Sequence, residues 1–174
     1  MHRLQAWDAA WSARLALTQT DARWPAAAKM AHLGDGSLVF GGLALVVLAG
    51  WLFRRPELVL MMGILLATLL ATATIIVIIK YSLRRERPRD PTGFVTLSYD
   101  KYSFPSGHSA RMSCLAVTLL FFNLPLGIGL SLLALLVAGA RVLVGVHYLS
   151  DVLAGLLIGA ATAAGVIKLI NILF

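Results

Sequence analysis

Long apolar runs broken by short polar interruptions dominate the chain, and their spacing predicts helices that cross a bilayer. Leu58 to Ile79 is uncharged for about 22 residues, enough to traverse a hydrocarbon core roughly 30 Å thick. Ser37 to Phe53 is a shorter run of about 17. Leu126 to Ala140, continuing past Arg141 to Val146, makes another, and Val152 to Phe174 the last. His108 to Phe122 opens on small polar residues and then turns apolar. Gly34-Asp35-Gly36, Arg54-Arg55-Pro56-Glu57 and Asn123-Leu124-Pro125 read as the breaks between runs. Ahead of them, Leu4, Trp7, Trp11 and Leu15 recur at helical spacing among Arg3, Asp8, Ser12 and Arg14. That pattern suits a helix lying in the membrane interface, with Trp7, Trp11 and Trp24 as anchors and His2 and His32 as interfacial polar residues. The expected architecture is all-α: an integral membrane bundle of about five to six helices, about five of them spans. Residues 1–36 read as an interfacial segment and 37–174 as the transmembrane core.

Composition sharpens this picture. Of 174 residues, 59% are hydrophobic and 13% charged, against about 25% charged in an ordinary soluble domain. A soluble globular domain and a disordered chain are both excluded. Yet 15 Lys+Arg against 8 Asp+Glu leave a net charge of +7, which must lie at membrane surfaces or face an anionic ligand. The basic residues fall between apolar runs, so no nucleic-acid partner is expected. Cys114 is the single cysteine, which excludes an intrachain disulfide. Asp8 and Arg14 interrupt the N-terminus, which does not read as a secretory signal. Gly155 and Gly159 place GxxxG in the last run, read here as a face for packing within the chain.

Alternation of the runs brings three distant polar clusters to one membrane face. The run from Leu58 delivers Lys80 to that face, and the long polar stretch from Lys80 to Phe104 stays there with six of the fifteen basic residues. The run from His108 leaves, the run from Leu126 returns near His147, and the last departs from Asp151. The first cluster, Lys80 to Pro88, contains Lys80 and Arg87, a point charge and a planar fork for phosphate oxygens. Arg84, Arg85 and Arg89 read as solvated loop charges or as contacts to anionic head groups. The second cluster, Ser103 to Ser109, places Pro105-Ser106-Gly107 ahead of a helical run, where free N–H groups and the dipole favour an anion. Gly107 permits close backbone approach, and His108 follows in the first turn. The third cluster holds Arg141, costly within an apolar run, and His147 four residues before Asp151, the spacing of a base and its orienter. Two histidines, a carboxylate and three cations suit phosphoryl transfer without a metal or other cofactor: cations hold the oxygens, one histidine attacks phosphorus and the other protonates the leaving oxygen.

Lys80–Pro88 (KxxxxxxRP), Pro105–His108 (PSGH) and Arg141–Asp151 (RxxxxxHxxxD) together resemble the signature of the type 2 phosphatidic acid phosphatase family, from about Leu58 to the end. The resemblance implies a metal-independent membrane phosphatase in which His147 is the nucleophile of a phospho-histidine intermediate, Asp151 orients it and His108 is the general acid. It implies that Lys80, Arg87, Ser106, Gly107 and Arg141 bind phosphate. Ala140 departs from the pattern, which usually has Ser there, removing one auxiliary hydrogen bond. Phe94-Val-Thr-Leu-Ser, Asp100-Lys-Tyr-Ser-Phe-Pro-Ser-Gly-His and the Gly34-Asp35-Gly36 segment are similar to polyisoprenoid and presqualene diphosphate phosphatases. By that likeness the substrate is a polyisoprenyl (di)phosphate; the alternatives are phosphatidic acid, phosphatidylglycerophosphate and undecaprenyl diphosphate. A non-catalytic membrane scaffold or small transporter is the reading from another class. With the three ligand cations set aside, about nine basic residues lie on or near the site face, and the positive-inside rule places that face in the cytoplasm. The expected location is a bacterial inner membrane.

Overall fold

Seven helices run through the described residues, 2–88 and 100–173 of this computed structural model. They are α1 (His2–Leu15), α2 (Trp24–His32), α3 (Gly36–Leu52), α4 (Pro56–Leu83), α5 (Gly107–Phe122), α6 (Leu124–Leu143) and α7 (Leu149–Leu173). Arg89 and the Phe94-Val-Thr-Leu-Ser segment lie outside the described residues. The all-α class expected from the sequence is the one observed. On length and apolarity, α4, α6 and α7 can each cross a membrane, with 28, 20 and 25 residues, and α2 with α3, a pair bent by 49°, makes a fourth if the two are one broken span. The remaining run, α5, is only 16 residues long. It is the central helix, packed against α4, α6 and α7, so it needs less lipid-facing length than its neighbours.

Local chemistry sets the ends of these helices. Pro56 opens α4, and Arg84 closes it in the left-handed conformation (φ 49°) with its N–H on the Lys80 carbonyl. Asn123 caps α6, its side chain accepting the Leu126 N–H at 3.1 Å, with Pro125 in the first turn. Within the bundle, hydroxyls that would be orphaned in an apolar medium bond back along their own helices: Thr68 to Ile64 O (2.6 Å), Thr72 to Thr68 O (2.8 Å) and Thr118 to Cys114 O (2.8 Å). Outward-facing Leu45, Trp51, Leu60, Leu157 and Ile172 are exposed, as lipid-facing side chains of an integral membrane protein are.

The GxxxG face packs within the chain. A methyl group at Gly155 would collide with the Ser106 carbonyl, and one at Gly159 with the Ala110 carbonyl. Backbone contact between α5 and α7 therefore requires glycine at both positions. This contact carries Ser106 and Asp151 toward each other, and the Ser106 N–H donates to the Asp151 carbonyl at 2.9 Å.

The N-terminal helix α1 is amphipathic in an inverted sense. Leu4, Trp7, Trp11 and Leu15 face outward, with the Trp7 and Trp11 rings 5.6 Å apart. The polar face points into the bundle, where Ser12 is buried. Its hydroxyl accepts the Leu149 N–H at 2.9 Å, and Asp8 Oδ1 accepts the Ser150 N–H at 3.1 Å. Two of the N–H groups that α7 leaves unpaired in its first turn are thus satisfied by α1 rather than by a local cap.

Candidate active site

One polar locus forms where α4 and α6 end and α5 and α7 begin. Lys80, in the last turn of α4, is 3% exposed; its ammonium donates to the Tyr102 carbonyl at 2.6 Å and pairs with Asp100 at 2.9 Å. The left-handed residue Arg84 turns the chain so that Arg87 returns beneath the bundle. There the Arg87 Nη2 binds the Asp100 carboxylate at 3.0 Å and the Asp100 carbonyl at 2.6 Å. Its Nη1 donates to the Val146 carbonyl at 3.2 Å and lies 3.5 Å from His147 Nε2. Burial would raise the Asp100 carboxyl, but Lys80 and Arg87 outweigh it and hold the group below its usual 3.8.

His147 sits in the short connection between α6 and α7 and is 1% exposed. Burial, reinforced by Arg141, Arg87 and Lys80, pushes its imidazole well below the ordinary 6.5, so the ring is neutral. An arginine only donates, so its approach to Nε2 places the lone pair there and the proton on Nδ1. Nδ1 faces Asp151 Oδ2 at 3.4 Å without a hydrogen bond. Oδ2 accepts the Tyr148 N–H at 2.8 Å and Oδ1 accepts from Arg85 at 2.8 Å. A histidine buried neutral carries a pH consequence. The folded state binds fewer protons than the unfolded chain, so this contribution to stability is fully present above about pH 6.5 and is lost as pH falls below it. A Tm in detergent that declines from pH 7 to pH 5, less steeply in His147→Asn, is the expected result.

Ser106 is the N-cap of α5: its hydroxyl accepts the Ser109 N–H at 3.4 Å and lies 3.1 Å from the Ser109 hydroxyl. Gly107 and His108 form the first turn, buried beside it. Arg141, in the last turn of α6, is 3% exposed and acts electrostatically on His147. Ala140 faces away from this locus and packs with Leu17, Ala27 and Ala31. The position that usually carries Ser is here part of the apolar contact between α2 and α6.

Several residues around the locus escaped the sequence reading. Arg85 is not a solvated loop charge. It donates to the Ser150 hydroxyl at 2.7 Å, Asp151 at 2.8 Å and Asp8 at 2.6 Å, with its guanidinium 4.0 Å above the Tyr148 ring. Asp8 is held below 3.8, because hydrogen bonds from Ser150 and Arg85 outweigh the raising effect of burial. His32, expected as an interfacial polar residue, also has a partner: its Nδ1 lies 2.9 Å from Asp35, whose other oxygen is 2.6 Å from His108 Nε2. The only signals for these were the helical phase of Asp8 and Ser12 and the charge enclosed in Gly34-Asp35-Gly36. Replacing Arg85 by Ala strands the buried Asp151 carboxylate and the half-buried Asp8 carboxylate, which costs about 2 kcal/mol of stability. A lowered Tm in detergent, with only partial recovery in Arg85→Lys, is the expected measurement.

Among the described residues, no group of three His, Cys, Asp or Glu side chains is placed to hold a metal ion. The charge on the locus comes from Lys80, Arg87 and Arg141 instead. A helical membrane bundle that converges three buried cations and two histidines at one end has the charge to attract an oxyanion. Residues 58–173 match the PAP2 superfamily, and the chain belongs to it. It is 30% identical over 141 residues to phosphatidylglycerophosphatase B of Bacillus subtilis, covering 74% of this chain and 66% of that protein. It is 36% identical over 140 residues to decaprenylphosphoryl-5-phosphoribose phosphatase of Mycobacterium tuberculosis, covering 78% of this chain and 73% of that one. The fold superposes on the crystal structure of the transmembrane PAP2-type phosphatidylglycerolphosphate phosphatase from Bacillus subtilis with a TM-score of 0.79, at 27% identity, covering 98% of this chain and 88% of the other.

Proposed function

We propose that the protein is a membrane lipid phosphatase acting on a polyisoprenyl diphosphate or monophosphate through a phospho-histidine. The observation that carries this reading is the placement of Arg87, which touches both the Asp100 carboxylate and His147 Nε2. A guanidinium beside an unprotonated imidazole nitrogen is suited to hold the oxygens of a phosphoryl group within reach of a nucleophile. The names of the relatives, all phosphatases of lipid phosphates, support the same class.

In this mechanism His147 Nε2 attacks the terminal phosphorus, and the bond from phosphorus to the leaving oxygen breaks. His108 delivers a proton to that oxygen. Lys80, Arg87 and Arg141, with Ser106 and the Gly107 backbone at the α5 N-terminus, hold the charge on the transferring group. Asp151 stabilises the His147 proton on Nδ1. Water then attacks the phospho-histidine with His108 as base, the P–N bond breaks, and inorganic phosphate and free His147 are released. Cations supply the electrostatic role that a metal fills in other phosphatases, so turnover is independent of divalent ions.

The prenyl preference rests on the likeness of the Asp100–His108 segment and on the decaprenyl-linked substrate of the mycobacterial relative. A substrate panel in one detergent assay tests it: farnesyl and undecaprenyl diphosphates, phosphatidylglycerophosphate and phosphatidic acid, each with excess chelator. Faster phosphate release from the prenyl substrates, unchanged by chelator, is expected. Preference for a glycerophospholipid would replace the substrate assignment. Absence of release from all four would favour a scaffold or transporter. We further assign the site to the cytoplasmic face of a bacterial inner membrane, because Arg54 and Arg55 are the basic pair at the opposite end of α3 and α4. Single cysteines at Arg54 and Lys101, labelled from outside intact cells with an impermeant thiol reagent, distinguish the orientations: only the Arg54 position should react.

A further inference from the structure

We infer that Asp35 is a positioning residue for His108, holding the ring so that its other nitrogen protonates the leaving oxygen, with His32 as the second partner of the carboxylate. The inference rests on the reading of His108 as general acid given above. Asp35 Oδ1 lies 2.6 Å from His108 Nε2, and Oδ2 lies 2.9 Å from His32 Nδ1. Asp35 occupies the N-cap position of α3 with extended backbone (φ −62°, ψ 139°), where an aspartate ordinarily accepts an N–H of its own helix. It makes no such cap bond. Both oxygens are directed to histidines instead, one on α5 and one on α2.

The turn that carries Asp35 is built to reach His108. A methyl group at Gly34 would stand 3.2 Å from His108 Cβ and Cδ2 and from Val137, tighter than most such contacts. Arg111, one turn after His108 on α5, donates to the Gly34 carbonyl through Nε at 3.2 Å and Nη2 at 2.9 Å. The bend between α2 and α3 is thereby pinned against the start of α5, with its carboxylate aimed at the ring.

The electrostatics explain what the carboxylate does. A general acid must carry its proton as an imidazolium, a charge disfavoured at His108 first by burial and then by Arg141 and Arg111. Asp35 is the carboxylate in direct contact with the ring and offsets their repulsion. Accepting from Nε2–H also fixes which nitrogen is left for the leaving group, Nδ1, as an orienting carboxylate does for a catalytic histidine elsewhere. His32 holds the second oxygen, and its side chain is 44% exposed.

Leaving-group dependence tests this, because an acid matters only when the departing oxygen needs a proton. Farnesyl monophosphate expels an alkoxide; p-nitrophenyl phosphate expels a stable phenolate. Asp35→Asn should slow kcat on farnesyl monophosphate about 10²-fold and on p-nitrophenyl phosphate by less than about threefold. Asp35→Ser, which keeps a good N-cap residue, should show the same split and separates loss of the carboxylate from loss of α3. His32→Gln should show a weaker split in the same direction. Equal slowing of both substrates, or no slowing of either, in Asp35 variants overturns the inference if His108→Asn retains the split. A His108→Asn protein without the split instead removes the general-acid reading on which the inference stands.

Discussion

His147→Ala is expected to lose phosphate release by about 10⁴-fold or more while eluting and melting as a folded protein. The side chain is buried in a short connection, not in a helix interior, and its ring makes no hydrogen bond through Nδ1. Removing it therefore leaves no partner unsatisfied at that nitrogen, and relieves the cost of a histidine buried among Arg141, Arg87 and Lys80. What disappears is the unprotonated nitrogen that faces the Arg87 guanidinium. Other groups cannot replace it: Asp151 is engaged by Arg85 and the Tyr148 N–H, and His108 by Asp35. Assay of the purified variant beside its Tm distinguishes a missing nucleophile from a missing fold. Turnover within tenfold of the unmodified protein would remove His147 from the mechanism.

Arg87→Lys is the second large effect, and it is informative because the charge survives. The fork of Arg87 makes four contacts in different directions: the Asp100 carboxylate and carbonyl, the Val146 carbonyl and the neighbourhood of His147 Nε2. A lysine ammonium is a point charge without the planar geometry to span them. Loss of one preorganised donor to a developing oxyanion costs about 10²–10³ in kcat, and that range is expected here on a prenyl diphosphate. A fall in kcat with little change in KM would identify an interaction made chiefly in the transition state. A kcat within threefold of the unmodified protein would mean that Arg87 is only a tether for Asp100.

The convergence of Lys80–Pro88, Ser103–His108 and Arg141–Asp151 could be read from the chain because alternation of apolar runs leaves little choice of where their ends fall. The observed α4 and α6 ends and α5 and α7 starts lie together. Span lengths were less legible. The run from His108 to Phe122 reads as short and as opening on small polar residues, but nothing in it says that α4, α6 and α7 surround the helix it forms. The sequence around Arg85 gives no sign of its role because its partners are remote: Asp8 is 77 residues away and Asp151 66. A basic residue after a span is ordinarily a surface anchor, and only tertiary placement shows two carboxylates around this one. The N-terminal helix was read correctly for its apolar stripe, but sequence periodicity cannot say what the opposite face meets. Here it meets the start of α7 through Ser12 and Asp8. Asp35 looked like part of a helix break, since a Gly-Asp-Gly turn satisfies local rules completely. Its second role depends on the bend that brings α2 and α3 over His108.

Rapid acid-free quenching of the protein with prenyl diphosphate labelled in its terminal phosphate tests the central claim most directly. The account predicts label on the chain that survives base, is released by mild acid, and maps to a peptide containing His147. The label should accumulate in His108→Asn, where hydrolysis of the intermediate is slowed, and vanish in His147→Ala. Turnover without any labelled chain, or label that persists in His147→Ala, would contradict it.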